Sequence, residues 1–248
     1  MQVVRISVFL LLGISFLCRG NNPPLQIPAT LRTNSTFQQM IFVPPMYRKE
    51  ALQLMLADAN RTARQLDLPE KLPITRTNLV AFYVSPPKLS QFTKTMGTIS
   101  TSNYLYAPFA GRGFTVVRRD LEQKESQLRA KYLWPTNRID KNAAYQDAMQ
   151  VLRKADVAVN VLNDNCRARV TTCVPEGQTS HFVPIYWVTW SENIPGALSG
   201  GASVELFEPA KTILQLQVFG SKYILRKPLQ ITNLDYLHLQ TNAPPVAK

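Results

Sequence analysis

The stretch from Asn142 to Val218 constrains the fold more than any other part of the chain, because it reads as one helix followed by a set of strands. Its clearest segment, Phe182 to Trp190, is short, β-branched and aromatic, which predicts a strand rather than a helix. Within it Tyr186-Trp187-Val188-Thr189-Trp190 alternates poorly between apolar and polar, the pattern of a central strand covered on both faces. Gly196 and Gly200-Gly201 supply the connection to a second strand, Ala202 to Phe207, and Pro209-Ala210-Lys211 a tight turn into a third, Thr212 to Val218. Upstream, Asp140 or Asn142 can cap a helix whose buried stripe is Ala144, Tyr145, Ala148, Met149, Leu152 and Ala155. Val157 to Leu162 is rich in β-branched residues and reads as a strand, Asn163-Asp164-Asn165 as a turn, and Ala168 to Val174 as the returning arm.

The first half repeats this grammar. Pro44-Pro45 introduces a helix over Met46 to Leu66, with Leu52, Met55, Leu56, Ala59, Ala63 and Leu66 on one apolar stripe and Pro69 beyond its end. Leu79 to Val84 predicts a strand, Ile99 to Ala107 a second, and Phe114 to Val117 a third that returns after the turn Gly111-Arg112-Gly113. Arg119 to Leu133 is polar with a thin apolar face, the mark of a surface helix, and Pro135 to Asp140 is a candidate boundary. The expected class is therefore α+β: antiparallel sheet packed against two main helices, in helix-then-strands units, plus one polar surface helix. The expected division is a signal segment over residues 1–20, a basic region over 21–135, and a C-terminal unit over 136–248 ending in an extended arm from Ile224 to Leu239.

The signal segment is read from Arg5, the apolar run Ile6 to Cys18, and small residues at Cys18 and Gly20 that suit cleavage near Gly20. The run is shorter than the ~20 residues a bilayer-spanning helix needs. Export to a periplasmic or extracellular compartment is the expectation, with no membrane span in the mature chain.

Charge then separates the halves. Residues 21–111 hold nine basic and four acidic residues, 112–154 hold ten and five, and 155–248 hold seven of each. With Arg5 and Arg19 of the first twenty residues these make the net charge of +12, all of which belongs to the first two-thirds. On an exported chain such an excess points to anionic envelope components, acidic polysaccharide or plain solubility; the partner expected is an unknown protein or an anionic envelope component. Nucleic acid is disfavoured, because no dense Lys/Arg cluster is interleaved with aromatics.

Few chemistries find residues to carry them. Cys166 and Cys173 would lie roughly 23 Å apart in one strand at ~3.3 Å per residue, whereas a disulfide needs Cα atoms within about 7 Å. A bond therefore requires a turn inside Arg167 to Thr172, a segment without Gly, Pro or Asn, and two free thiols are the alternative. The histidines, His181 and His238, stand far apart with no CxxC or HExxH, so neither a metal site nor a cofactor is expected. Neither GxSxG nor a phosphate-binding glycine loop is present. Glu205 and Glu208 are the best candidates for a carboxylate pair. Trp187 and Trp190 are an odd number of residues apart and so face opposite sides of a strand, one toward the core and one free for a peptide or sugar. His181 borders the same region. Asn34-Ser35-Thr36 and Asn60-Arg61-Thr62 match the glycosylation pattern.

The segments Tyr186-Trp187-Val188 and Val204-Glu205-Leu206-Phe207-Glu208-Pro209-Ala210-Lys211-Thr212-Ile213 resemble the Tyr-x-Val strand and the Val-Asp-x-x-Thr-Gly strand end of PepSY and cystatin-like units of exported bacterial proteins. The sequence departs from the family at Glu208 and at Ile213, which takes the place of the turn glycine. The resemblance covers about a third of the mature chain and implies a non-catalytic module that binds or restrains a partner, such as a peptidase. The chain as a whole is similar to exported bacterial proteins for which no activity is implied. A non-enzymatic binding module is the leading expectation. A hydrolase of envelope polysaccharide or peptide using scattered carboxylates, or a structural envelope component, is the alternative.

Overall fold

A computed structural model describes residues 43–87, 96–120, 127, 131, 140–173, 183–192 and 200–231. The first helix, α1 (Pro45–Gln65), starts where the sequence places it, with proline at its opening position and Pro44 as N-cap. It buries Leu52, Met55, Ala59 and Ala63 of the expected stripe, with Leu66 just beyond its end, leaves Leu56 half-buried, and extends the stripe one turn earlier to Tyr47 and Ala51. Asn60, the second glycosylation-pattern asparagine, is occupied in the interior of this helix. Its side chain exchanges hydrogen bonds of 2.7 Å with the N–H and C=O of Ile74.

Four strands follow: β1 (Ala81–Val84), β2 (Gly97–Ser100), β3 (Tyr104–Ala107) and β4 (Gly113–Arg118), each antiparallel to the next. The single strand expected over Ile99 to Ala107 is in fact a hairpin. Thr101 makes the turn: its Oγ1 accepts the N–H groups of Asn103 and Tyr104 at 3.1 and 3.0 Å and donates to Glu70 Oε1 at 2.6 Å. A threonine turn of this kind carries no glycine or proline to announce it.

The second half opens with α2 (Lys141–Lys154), capped by Asp140, whose carboxylate accepts the N–H of Asn142 at 2.8 Å. The strand expected at Val157 to Leu162 is replaced by a short helix, α3 (Val159–Asn165). Burial of Val159 and Leu162, three residues apart, outweighs β-branched propensity, and Asn165 returns a bond to the Val161 carbonyl at 2.8 Å. Then come β5 (Cys166–Cys173), β6 (Val183–Glu192), β7 (Gly201–Phe207) and β8 (Thr212–Phe219), again antiparallel neighbours.

All eight strands form one sheet in the order β1-β2-β3-β4-β8-β7-β6-β5. The last strand of each half pairs with the other, from Gly113↔Phe219 to Val117↔Gln215. The two regions expected on either side of residue 135 therefore share a sheet and its main core, and Val43–Lys248 is one compact unit. The helices cover one face, α1 over β1 and β2, α2 over β5 to β7, and α3 over β5 and β6. Beyond the strands, Leu225 donates to the Asp156 carbonyl and Leu229 to the Phe109 carbonyl, both at 2.8 Å, so the first part of the expected arm does dock on the body.

Among the described residues no helix is long and apolar enough to cross a membrane. The signal segment, Asn34, nearly all of the polar surface helix and the 135–139 boundary fall outside the described residues.

Candidate functional site

The residues singled out from sequence divide between two faces of β6. Trp190 is the core tryptophan, 2 % exposed. Its indole N–H donates to Asn163 Oδ1 at 3.1 Å, and its ring lies 5.7 Å from that of Tyr145 on α2. Trp187 stands on the opposite face of the sheet, 47 % exposed. The expectation of a strand covered on both faces thus holds only at its start, where Val183 and Ile185 join Phe207 and Leu214 in a small second cluster. Glu205 is the register partner of Trp187 on one side and of Gln215 on the other, and it is buried rather than offered to a ligand. His181 lies outside the described residues.

Glu208 sits elsewhere, on the helical turn after β7, at a cavity of about 380 Å³ shared with Asp140, Asp147, Tyr186 and Lys211. Burial, and then the charge of Glu208, push the Tyr186 hydroxyl above its usual range. The other two carboxylates are already employed. Asp140 caps α2, and Asp147 pairs with Lys211 at 3.2 Å. Glu205 and Glu208 are therefore not brought together as an acid–base pair, because they point into different surroundings.

The strand β5 runs extended from Cys166 to Cys173, paired with β6 along its length, so the turn that a disulfide between them requires is absent. Cys166 is a free thiol. It donates to the Tyr223 hydroxyl at 3.4 Å, that hydroxyl donates to Glu192 Oε1, and Lys222 pairs with the same oxygen at 2.7 Å. Hydrogen bonds from Lys222 and then Tyr223 hold the Glu192 carboxyl below its usual range, against the opposing effect of burial. This chain of contacts fastens β5, the end of β6 and the turn after β8, and it exposes no nucleophile–base pair. Among the described residues no cluster of three or more His, Cys, Asp or Glu could hold a metal ion.

The site that sequence reasoning missed lies between α1 and β1. There a groove of about 460 Å³ is lined by apolar Pro45, Leu52, Leu56 and Phe82 together with Arg48, Arg76, Lys49 and Gln53. The guanidinium carbons of Arg48 and Arg76 lie 5.2 and 6.0 Å from the centroid of the same Phe82 ring. Among the described residues neither cation has a carboxylate partner. Local structure dictates both positions. Arg48 belongs to the opening of α1, which has no acidic residue in its first turn, so the helix dipole adds to the positive charge instead of offsetting it. Arg76 starts a helical turn over Arg76–Asn78 that is pinned twice: Asn78 Oδ1 accepts the Thr75 N–H at 2.6 Å, and Asn60 of α1 holds Ile74. Phe82 contributes the ring from β1. The three residues are widely spaced in sequence, and only the contact of α1 with β1 assembles them.

No protein-family model matches the chain, and no curated protein or solved structure shows significant similarity to it.

Proposed function

We propose that this protein is a non-enzymatic binding module acting outside the cytoplasm, and that the groove between α1 and β1 holds an anionic partner. The observation that carries the reading is the pair of guanidinium groups against Phe82, which among the described residues have no carboxylate to neutralise them. An anion seated in the groove pairs with the guanidinium groups that line it, while its apolar part meets the apolar lining of Leu52 and Leu56. The basic excess of residues 21–154 would steer such a partner toward the surface. Export is supported by the segment over residues 1–20, and the PepSY-like likeness of the strands from Tyr186 onward belongs to the same proposal. The hydrolase alternative is disfavoured by the engagement of Asp140 and Asp147 in a cap and an ion pair.

The test is titration of the purified protein with an anionic polymer, polyglutamate or an acidic polysaccharide, beside a neutral polymer of equal length. We expect saturable, salt-sensitive binding of the anionic polymer only, weakened at least about tenfold in R48E/R76E, the equivalent of about 1.4 kcal/mol. Equal binding of the neutral polymer, or an undiminished double variant, overturns the reading.

A further inference from the structure

We infer that the cavity between the start of α2 and the turn after β7 is a second binding site, and that it takes a primary alkylammonium group. It lies on other elements than the α1–β1 groove and takes a ligand of the opposite charge. Asp140, Ala143, Ala144 and Asp147 recur at three- and four-residue steps, so the start of α2 presents them on one face. Tyr186 lines the cavity from β6. In step with Val188 and Trp190, it stands on the helix-covered face of the sheet. The turn Glu208–Ala210 supplies the rest of the lining, and Lys211 follows it in the left-handed conformation, φ 47°, with its ammonium 3.2 Å from Asp147.

Two polar groups of this cavity lack partners. Tyr186 is 3 % exposed, yet among the described residues its hydroxyl makes no hydrogen bond. The Glu208 carboxylate has neither a hydrogen bond nor an ion pair among them. Burial, and then the Glu208 charge, keep the hydroxyl protonated, but the carboxylate does not accept its hydrogen bond. A hydroxyl buried without a partner costs free energy, and a group that donates to both oxygens removes that cost. Charge names the donor. Asp147 is neutralised by Lys211 and Asp140 is turned to the Asn142 N–H, so Glu208 carries the unmet charge. An ammonium has three N–H donors, one for Glu208, one for the Tyr186 hydroxyl oxygen and one for Asp140 or water. Its alkyl stem then lies along Ala143 and Ala144. The volume of about 380 Å³ is near the lower end of the roughly 300–1,000 Å³ of small-molecule pockets. A sugar would find no aromatic plane to stack on, because the Tyr186 ring is buried and Trp187 is on the other face of the sheet. An anion would meet an unpaired carboxylate.

The experiment titrates the purified protein with cadaverine and, separately, with a Gly-Lys-Gly peptide blocked at both ends, following the amide resonances of α2 and of residues 208–211 by NMR. Saturable shifts confined to those residues are expected from at least one probe. Binding of cadaverine assigns the site to free amines, and binding of the peptide alone assigns it to a lysine side chain of a partner. Acetylating the amines of either probe should abolish its binding. Glu208→Gln should weaken binding at least about tenfold and Tyr186→Phe about threefold to tenfold. Tyr186→Phe should leave Tm unchanged, since the hydroxyl bonds nothing in the fold, and this separates a lost ligand contact from a damaged core. If neither probe binds, the cavity holds water only and the inference is overturned. Equal binding of the acetylated probes overturns the ammonium assignment. A loss in Glu208→Gln with none in Tyr186→Phe would reduce the site to a surface carboxylate and overturn it as well. None of these outcomes bears on the anionic partner of the α1–β1 groove.

Discussion

Trp187 and Trp190 occupy one strand and have different energetic weights. Trp190 fills the core against Tyr145 and satisfies its indole N–H on Asn163, so Trp190→Ala removes a large buried ring and a hydrogen bond together. Chemical denaturation should show a loss of about 3–5 kcal/mol for Trp190→Ala and under about 1 kcal/mol for the exposed Trp187→Ala. A second residue pair is as consequential. Arg226 is buried, bonds Asp58 Oδ1 at 3.2 Å and Thr62 Oγ1 at 3.0 Å, and lies 4.0 Å over the Phe114 ring. Arg226→Met leaves the Asp58 carboxyl, whose pKa burial already raises, with only the half-exposed Arg61 at 4.0 Å. We expect a loss of about 3 kcal/mol, with much of it recovered when Asp58 is replaced by Leu in the same chain. Glu192 supplies a pH signature. Its folded-state pKa lies below the unfolded one, so its contribution is present above the ordinary carboxylate range and is lost as pH falls through the folded value. The difference in Tm between the wild type and Glu192→Gln should be largest near neutrality and close below about pH 4; a constant gap would exclude this linkage.

Among the elements, the starts of β2 and β7 depend on glycine for a steric reason. A Cβ on Gly97 would lie 2.1 Å from the Tyr83 carbonyl oxygen, and one on Gly201 would lie 2.0 Å from that of Trp190, both at positive φ. Gly201→Ala must therefore shift β7 away from β6, and thermal unfolding should report a loss of about 2 kcal/mol or more. The two helices that bound the sheet were legible because their stripes recur at three and four residues. The hairpin at Thr101 and the helix α3 were not. In the first, Thr101-Ser102-Asn103 closes the turn by side-chain hydrogen bonds to the backbone, with no glycine or proline to mark it. In the second, the docking of Val159 and Leu162 on β5 and β6 overrides what β-branched residues prefer in isolation.

At the scale of the whole molecule, the order β1-β2-β3-β4-β8-β7-β6-β5 makes each half the completion of the other. Besides the β4–β8 ladder, the Tyr104 hydroxyl on β3 donates to the Ile213 carbonyl on β8 at 3.0 Å, inside the core. Arg226, beyond the last strand, reaches back to α1. Urea unfolding followed by tryptophan fluorescence, which reports chiefly on β6, should accordingly coincide with unfolding followed by far-UV circular dichroism in one transition. Two separated midpoints would mean that the halves fold independently. The sequence alone determined the α+β class, the long helices, most of the strands and the basic bias of the first two-thirds, because these follow from local periodicity and from composition. The tertiary structure alone decided that the halves share one sheet, that Glu205 is buried and apart from Glu208, and that Arg48, Arg76 and Phe82 meet in a groove. Those outcomes depend on which distant surfaces pack together, and no local spacing of residues encodes that choice.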